Sequence, residues 1–334
     1  MRGRRVLVAV VIVVVAAGGV AFLSSATGHR RLGAIAFTRY RLQSTALWSE
    51  IWVANADGSD ARRISRSASA VEDDQAHWSA DGRWIAFDRC RQNAPCSVWI
   101  VHPDGTGQRQ LPIACCDNSN PSFTPDGRHV IVQHEWGAVR HGTIPDDDQI
   151  EHSAIAMVDL EGKHLTILRR RDGYSGGFEG PRIAPNGKLL LYRAYRWSPA
   201  ARPRYALYVS PLHIDRARRI TPWRLLAAGG EWSPDSKQVL FKSTLDGGEL
   251  SPGNALYIVR LDGTALRRVS NVGGDHYVLT GSFSPDGRSV VFATDDGATG
   301  TFPDIFTMQL TTGRRTQVTH RRNLDGWPTW GSRP

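Results

Sequence analysis

Lysine is almost missing from this chain of 334 residues: Lys163, Lys188, Lys237 and Lys242 are the four, so a net charge of +9 is carried by arginine. No stretch interleaves dense basic residues with aromatics in the manner of a nucleic-acid site, and a nucleic-acid partner is excluded on that ground. Cysteine is held to four residues, Cys90, Cys96, Cys115 and Cys116. In the connection from Gln133 to Ala154, histidines and carboxylates fall at the spacing of neither a calcium loop nor a helical zinc motif. A Gly-x-Ser-x-Gly string, Gly173-Tyr174-Ser175-Gly176-Gly177, lacks the strand-turn-helix context of a nucleophile elbow and reads as a flexible link. No catalytic residue is therefore assigned, and no cofactor is required.

One long uncharged run is present. Val6–Leu23 follows Arg2, Arg4 and Arg5, and as a helix would nearly span a ~30 Å hydrocarbon core. Residues 1–26 are expected to be a signal anchor or a signal peptide, cut near Ala26 in the second case, with residues 27–32 as linker. The basic end stays in the cytoplasm, so the rest lies outside, either as a single-pass protein of the cytoplasmic membrane or secreted or periplasmic after cleavage.

The remainder is organised around the stretch Trp78-Ser79-Ala80-Asp81-Gly82-Arg83-Trp84-Ile85-Ala86-Phe87. Its pattern returns at Phe123-Thr124-Pro125-Asp126-Gly127-Arg128, Ile183-Ala184-Pro185-Asn186-Gly187-Lys188, Trp232-Ser233-Pro234-Asp235-Ser236-Lys237 and Phe283-Ser284-Pro285-Asp286-Gly287-Arg288. A large apolar residue ends one strand, Pro and Asp-Gly make the turn, and a second strand comes next. That second strand is apolar at three successive positions, as in Ile85-Ala86-Phe87 and Val239-Leu240-Phe241, and so needs cover on both faces. A spacing of roughly 45 to 60 residues is that of propeller repeats.

Each repeat has a second half that begins at Ile51-Trp52-Val53, Val98-Trp99-Ile100, Ile155-Ala156-Met157, Leu207-Tyr208-Val209, Leu256-Tyr257-Ile258 and Ile305-Phe306-Thr307. Ala34-Ile35-Ala36-Phe37 looks like a repeat lacking its first strand, and Trp327-Pro328-Thr329-Trp330 like a first strand with nothing after it. Joining them completes one more unit. The expected fold is all-β: residues 33–334 form a six-bladed β-propeller of four-stranded antiparallel blades, closed by pairing N- and C-terminal strands and preceded by one N-terminal hydrophobic helix.

Ile51-Trp52-Val53-Ala54-Asn55-Ala56-Asp57-Gly58, followed by the Trp78–Phe87 string, resembles the repeat of TolB-like propellers. The resemblance implies a six-bladed, exported, cell-envelope module known mostly for protein interactions. An α/β domain like the one before the propeller of TolB is not expected in residues 1–32, so the partners of TolB are not carried over.

Recognition is expected on the face opposite the Asp-Gly turns. Trp136, Tyr174, Phe178, Tyr195, Trp197 and Tyr277, with Arg204 and Arg321, are the candidate binding surface. The long connection from Gln133 to Ala154 offers His134, His141, Asp146, Asp148 and His152 as candidate ligands for a divalent metal. An even cysteine count in an oxidising compartment suggests disulfides. Cys90–Cys96 is the favoured pair; a bond between the adjacent Cys115 and Cys116 would be strained, so a Cys96–Cys115 bond or an unpaired Cys115 and Cys116 remain open. The function expected is a monomeric, non-enzymatic propeller, membrane-bound through residues 6–23, that binds a protein or glycan of the cell envelope. The alternative is a metal-assisted lyase or hydrolase acting on an extracellular polysaccharide.

Overall fold

The computed structural model describes residues 33–43, 46–67, 71–91, 94–140, 149–174, 176–198, 201–214, 216–243, 254–270, 278–279, 281–295, 303–320 and 323–332. The predicted segment at 1–26 and its linker lie outside them. Among the described residues no helix is long and apolar enough to cross a membrane.

Strands dominate, with one 3-10 turn at Trp223–Leu225. The first group comprises β1 (Ala34–Gln43), β2 (Ala46–Asn55) and β3 (Arg62–Arg63); the next comprises β4 (Val71–Trp78), β5 (Ile85–Arg91), β6 (Ala94–Val101) and β7 (Arg109–Gln110). Then come β8 (Asp117–Phe123), β9 (His129–Arg140), β10 (Gln149–Asp159) and β11 (Leu165–Asp172), followed by β12 (Gly176–Ile183), β13 (Leu189–Ser198), β14 (Ala201–Pro211) and β15 (Arg218–Arg219). The last are β16 (Ala227–Trp232), β17 (Gln238–Ser243), β18 (Ala255–Arg260), β19 (Arg267–Arg268), β20 (Val278–Leu279), β21 (Ser289–Thr294), β22 (Asp304–Gln309), β23 (Arg315–Gln317) and β24 (Leu324–Gly331). Strands β8 to β23 make four separate four-stranded sheets, each antiparallel between sequence neighbours. The remaining eight strands are β4 to β7 and the run β24-β1-β2-β3, whose ladders among the described residues meet at a parallel bridge from Ser49 to Glu72.

The first and last described strands meet in one sheet. β24 pairs antiparallel with β1, placing Ile35 opposite Trp330 and Arg39 opposite Asp325. The Arg39 guanidinium clamps the Asp325 carboxylate through Nε and Nη2 at 2.7 and 2.8 Å. Approach is close enough that a Cβ on Gly33 would stand 2.1 Å from the Gly331 carbonyl oxygen, and one on Gly331 would stand 2.2 Å from the Trp78 ring.

Period-two alternation explains how the apolar triplets are used. Ile85 and Phe87 pack with Ala36, Ile51 and Val53 on one side, whereas Ala86 packs with Val130, Val132 and Ala156 on the other. Leu191 likewise faces Val239 and Phe241, while Leu190 and Tyr192 face Ile131 and Ile155. The cycle ends where Leu279, Val291 and Ile305 pack on Ile35, Phe37 and Trp330.

The hairpin turns are held by more than Pro and Asp-Gly. In four of them a Ser or Thr one place after the apolar residue donates its hydroxyl to the Asp: Ser79 to Asp81 at 2.6 Å, Thr124 to Asp126 at 2.5 Å, Ser233 to Asp235 and Ser284 to Asp286 at 2.6 Å. The same Asp oxygen accepts the N–H two residues on, as Arg83 to Asp81 at 3.0 Å. Where the fourth turn has Ser236 in place of glycine, φ is +60°, and its hydroxyl accepts the N–H of Asn186 in the neighbouring turn at 3.1 Å. That bond ties two turns together where glycine could not.

Arginine concentrates on the outermost strands β3, β7, β15, β19 and β23, each two or three residues long. Short, positively charged edges discourage pairing with other chains. The scarcity of lysine and abundance of arginine thus has a structural outlet in the fold.

Candidate functional site

Innermost strands carry a repeated irregularity. The ladder slips between Asp74 and His77, Ser119 and Ser122, Glu179 and Arg182, and Ala228 and Glu231. At each slip one residue takes a left-handed backbone: Gln75 at φ +54°, Asn120 at +52°, Gly180 at +55° and Gly229 at +58°, with Trp327 of β24 at +50°. A bulge of this kind turns the strand and re-aims the side chains beyond it. All five residues line a central cavity of about 200 Å³, together with Glu179, Arg182, Arg193, Glu231 and Gly281.

Charge inside that cavity is paired across sheets. Arg182 Nε donates to Glu231 Oε1 at 2.6 Å, and its Nη1 reaches the Asn120 carbonyl at 3.3 Å. His77 Nε2 lies 3.5 Å from the other Glu231 oxygen. Burial alone would raise the Glu231 carboxyl, but Arg182 and then His77 pull it down to about 2. Arg193 pairs with Glu179 beside it. Asp88 is the opposite case: burial and then Asp74, directly across the ladder, push its carboxyl well up, and its Oδ1 has no hydrogen-bond partner among the described residues.

A second constellation sits where β9 to β14 end away from the Asp-Gly turns. Trp136 is stacked on His152 with ring centroids 5.1 Å apart, tilted against His134 at 5.2 Å, and capped by the Arg170 guanidinium at 5.2 Å. Asp172 engages both His152 Nδ1 at 2.7 Å and Arg170 Nε at 2.9 Å. Next to it, burial pushes the Glu135 carboxyl up to about 7 against hydrogen bonds from Gln133 and Ser153. Burial and then Glu135 raise the Tyr195 phenol, with Arg193 and Arg171 opposing. Close packing at Gly177, whose Cβ would meet the Tyr195 hydroxyl at 2.4 Å, holds that phenol in place.

Of the expected recognition residues, the structure therefore groups Trp136, His152 and Tyr195 on one rim, with Tyr174 half-buried beyond the end of β11 and Arg204 exposed on β14. Phe178 is a correction. It lies in β12, only 7% exposed, edge-on to Tyr192 at 5.3 Å, because the strand begins at Gly176 and alternation turns Phe178 inward. Trp197 falls in β13, but its side chain lies outside the described residues, as do Tyr277, Arg321, His141, Asp146, Asp148 and Ser175. The Gly-x-Ser-x-Gly string runs from strand β11 to strand β12, not into a helix.

Cys90 and Cys96 are joined across the β5–β6 hairpin at 2.01 Å as expected, whereas the adjacent Cys115 and Cys116 are joined to each other at 2.10 Å. This corrects the expected Cys96–Cys115 or unpaired arrangement: Cys96 is already taken by Cys90, and the left-handed backbones of Cys115 and Cys116 accompany their pairing. Cys96, Cys115 and Cys116 border one pocket of about 280 Å³. A ring nitrogen of His134 and the sulfurs of Cys115 and Cys116 lie within 4.8 Å of one another.

The cavity residues escape a reading of the sequence, yet a signal exists. The residue just before each hairpin's leading apolar residue is polar, His77, Ser122, Arg182, Glu231 and Ser282, and of these Arg182 and Glu231 line the cavity. Only the fold decides which of these meet.

Glu135 supplies a pH test. Its folded pKa of about 7 lies above the ordinary 4.5, so folding favours its neutral form. That contribution is full below about pH 4.5 and is lost as pH rises through about 7. Glu135→Gln is expected to match the wild type in thermal melts near pH 4 and to exceed it by roughly 2–3 kcal/mol near pH 8. An equal difference at both pH values would refute this.

Sheets packed in a closed cycle, bulged inner strands around a central cavity and a rim of connections define a β-propeller. The fold is that of TolB-like propellers. TolB from Acinetobacter baumannii aligns with TM-score 0.68 at 16% identity, over 90% of this chain and 67% of that one. An oligogalacturonate lyase in complex with manganese aligns with TM-score 0.53 at 14% identity, over 86% and 74% of the two chains. In sequence, an uncharacterized peptidase, YuxL, of Bacillus subtilis is 28% identical over 96 residues, which is 29% of this chain and 14% of that relative. This chain thus matches only a small part of that protein's length. No protein-family profile matches the chain.

The manganese of the lyase finds no counterpart among the described residues. The group gathered at ligand distance is two disulfide sulfurs and one imidazole, whereas manganese favours oxygen-rich sites.

Proposed function

We propose that this protein is an exported, six-bladed TolB-like propeller that binds a protein or glycan of the cell envelope through the rim at Trp136. The run β24-β1-β2-β3 and the run β4 to β7 are counted as two blades, and the four separate sheets as the others. Residues 6–23 hold the chain at the outer face of the cytoplasmic membrane, or are removed with the signal peptide. The observation that carries the reading is the rim itself, where a half-buried indole is stacked, capped by arginine and braced by Asp172 and His152. Rigid aromatic and arginine side chains are the usual anchors of interfaces.

Crosslinking in the native envelope, with identification of the captured molecule, tests it. Trp136→Ala and Arg204→Ala are expected to reduce capture of the same partner at least ~10-fold, a loss of about 1.4 kcal/mol each, with a single cooperative melting transition kept in both and an unchanged melting temperature in Arg204→Ala. Undiminished capture by both variants would overturn the rim as the binding face.

A second reading rests on Glu135 beside Tyr195, a carboxyl with pKa about 7 next to a phenol, with Arg171 and Arg193 acting on the same phenol. Such a carboxyl is suited to general-base work at neutral pH, and arginine would neutralise a uronate carboxylate. Incubation with polyuronates, monitored by the ultraviolet absorbance of unsaturated products, decides it: activity abolished in Tyr195→Phe supports a lyase, and no product removes that reading.

A further inference from the structure

We propose that the Cys115–Cys116 disulfide masks a soft-metal site, which reduction opens to Zn²⁺ or Cu⁺ held by the two sulfurs and His134. The ligand atoms are already gathered within 4.8 Å of one another, and no part of the chain has to move in to complete the set. Asn118 builds the site. Its side-chain amide donates to the carbonyls of Cys115 and Cys116 at 2.9 and 3.0 Å, while its Oδ1 sits 2.8 Å from His134 Nδ1. With both amide hydrogens committed, that oxygen can only accept, so Nδ1 carries the ring proton and Nε2 keeps the lone pair that a metal needs. A metal-bound histidine whose other nitrogen is tied to a polar neighbour is the usual arrangement around zinc.

The flanks suit exchange. Cys115 is exposed and Cys116 half-exposed, so a dithiol can reach the bond, while His134 behind them is only 6% exposed. Both cysteines have left-handed backbones, φ +58° and +74°, a conformation that costs non-glycine residues of order 1–3 kcal/mol and that the intact ring maintains. In the proposed step a dithiol reductant attacks one sulfur. The Cys115–Cys116 bond breaks, the reductant closes to its own cyclic disulfide, and two electrons and two protons pass to the protein as two thiols. Metal binding then displaces both thiol protons, leaving two thiolates and one imidazole as ligands and a fourth position for water. Two soft sulfurs select zinc or cuprous ion over manganese or magnesium. In an oxidising compartment the site is closed; in contact with a dithiol donor it opens.

The full chain is tested with Zn²⁺ and with Co²⁺ as a spectroscopic probe, before and after reduction and anaerobic removal of the reductant. Expected are no free thiols and no stoichiometric metal in the oxidised protein. The reduced protein should take up one equivalent and show a thiolate-to-cobalt charge-transfer band. Cys115→Ser/Cys116→Ser, which leaves Cys90 and Cys96 reducible, should lose the band and the equivalent. His134→Gln should keep both thiols yet bind Zn²⁺ at least ~10-fold more weakly. Equal uptake by the double serine variant would assign the metal elsewhere and overturn the proposal. So would stoichiometric binding without reduction, or a reduced wild type that binds none.

Discussion

Replacing Arg182 with Met is expected to cost about 3–5 kcal/mol, because it strands the Glu231 carboxylate in a cavity where the guanidinium 2.6 Å away is its main compensation. In a domain of this size that corresponds to a fall in melting temperature on the order of 10 °C. The double variant Arg182→Met/Glu231→Gln should recover much of the loss, since breaking one half of a buried pair is costlier than removing both charges. The pH dependence comes from the sign of the shift. In the wild type the Glu231 pKa is lowered from 4.5 to about 2, so its stabilising contribution is present above about pH 4.5 and is lost only as pH falls through about 2. Without Arg182, burial dominates and raises that pKa, so the variant regains stability relative to wild type as pH drops from 7 toward 4. Melts of the three proteins at pH 7 and near pH 4 check both parts. A single variant as stable as wild type at pH 7 would remove the pair from the account of the ring.

Ending the chain at Asn323 should have a still larger effect, because it deletes β24. The truncation removes the antiparallel partner of β1, the buried Trp330, and the carboxylate that clamps Arg39. It also takes Trp330 and Trp327 out of the cluster in which Ile35 and Phe37 pack against Val291 and Ile305. Without β24 the ten-residue strand β1 is left as an unpaired edge, the condition that promotes association between chains. The expected result is loss of the single cooperative melting transition, binding of hydrophobic dyes and oligomers in size-exclusion chromatography with light scattering. Trp330→Ala provides the graded version, with an expected loss of roughly 3–5 kcal/mol. A truncated chain that melts cooperatively within a few degrees of wild type would mean that the terminal strand does not close the fold.

Both predictions rest on contacts between residues far apart in the chain, and there the amino-acid pattern has uneven reach. The hairpins are legible because a turn is a local object: Asp81-Gly82 or Asp286-Gly287 between apolar strands admits few conformations. Joining Trp330 to the strand of Phe37 is legible too, because each terminal piece is half of a repeat. The hydroxyl clamp of Ser79 on Asp81 is equally local, yet proline and Asp-Gly alone account for the turn in the sequence pattern. Phe178 is misplaced by that pattern because the glycine-rich stretch Gly176-Gly177 reads as loop and in fact opens a strand. Extending β9 and β13 to Arg140 and Ser198 converts expected loop positions, Trp136 and Tyr195, into positions near strand ends. Their geometry is correspondingly fixed by ladder hydrogen bonds.

The amino-acid sequence by itself determined the strands, their turns, the apolar triplets and the meeting of the two ends, since each depends on spacing along one repeat and on the chemistry of a few adjacent residues. Only the tertiary structure decided that Arg182 meets Glu231, that Trp136 stands between His134 and His152, and that Cys115 and Cys116 pair with each other beside His134. These are encounters between side chains brought together by sheet packing and bulge geometry. The pattern of one repeat fixes which way its strand points, but not which polar group the neighbouring sheet will present to it.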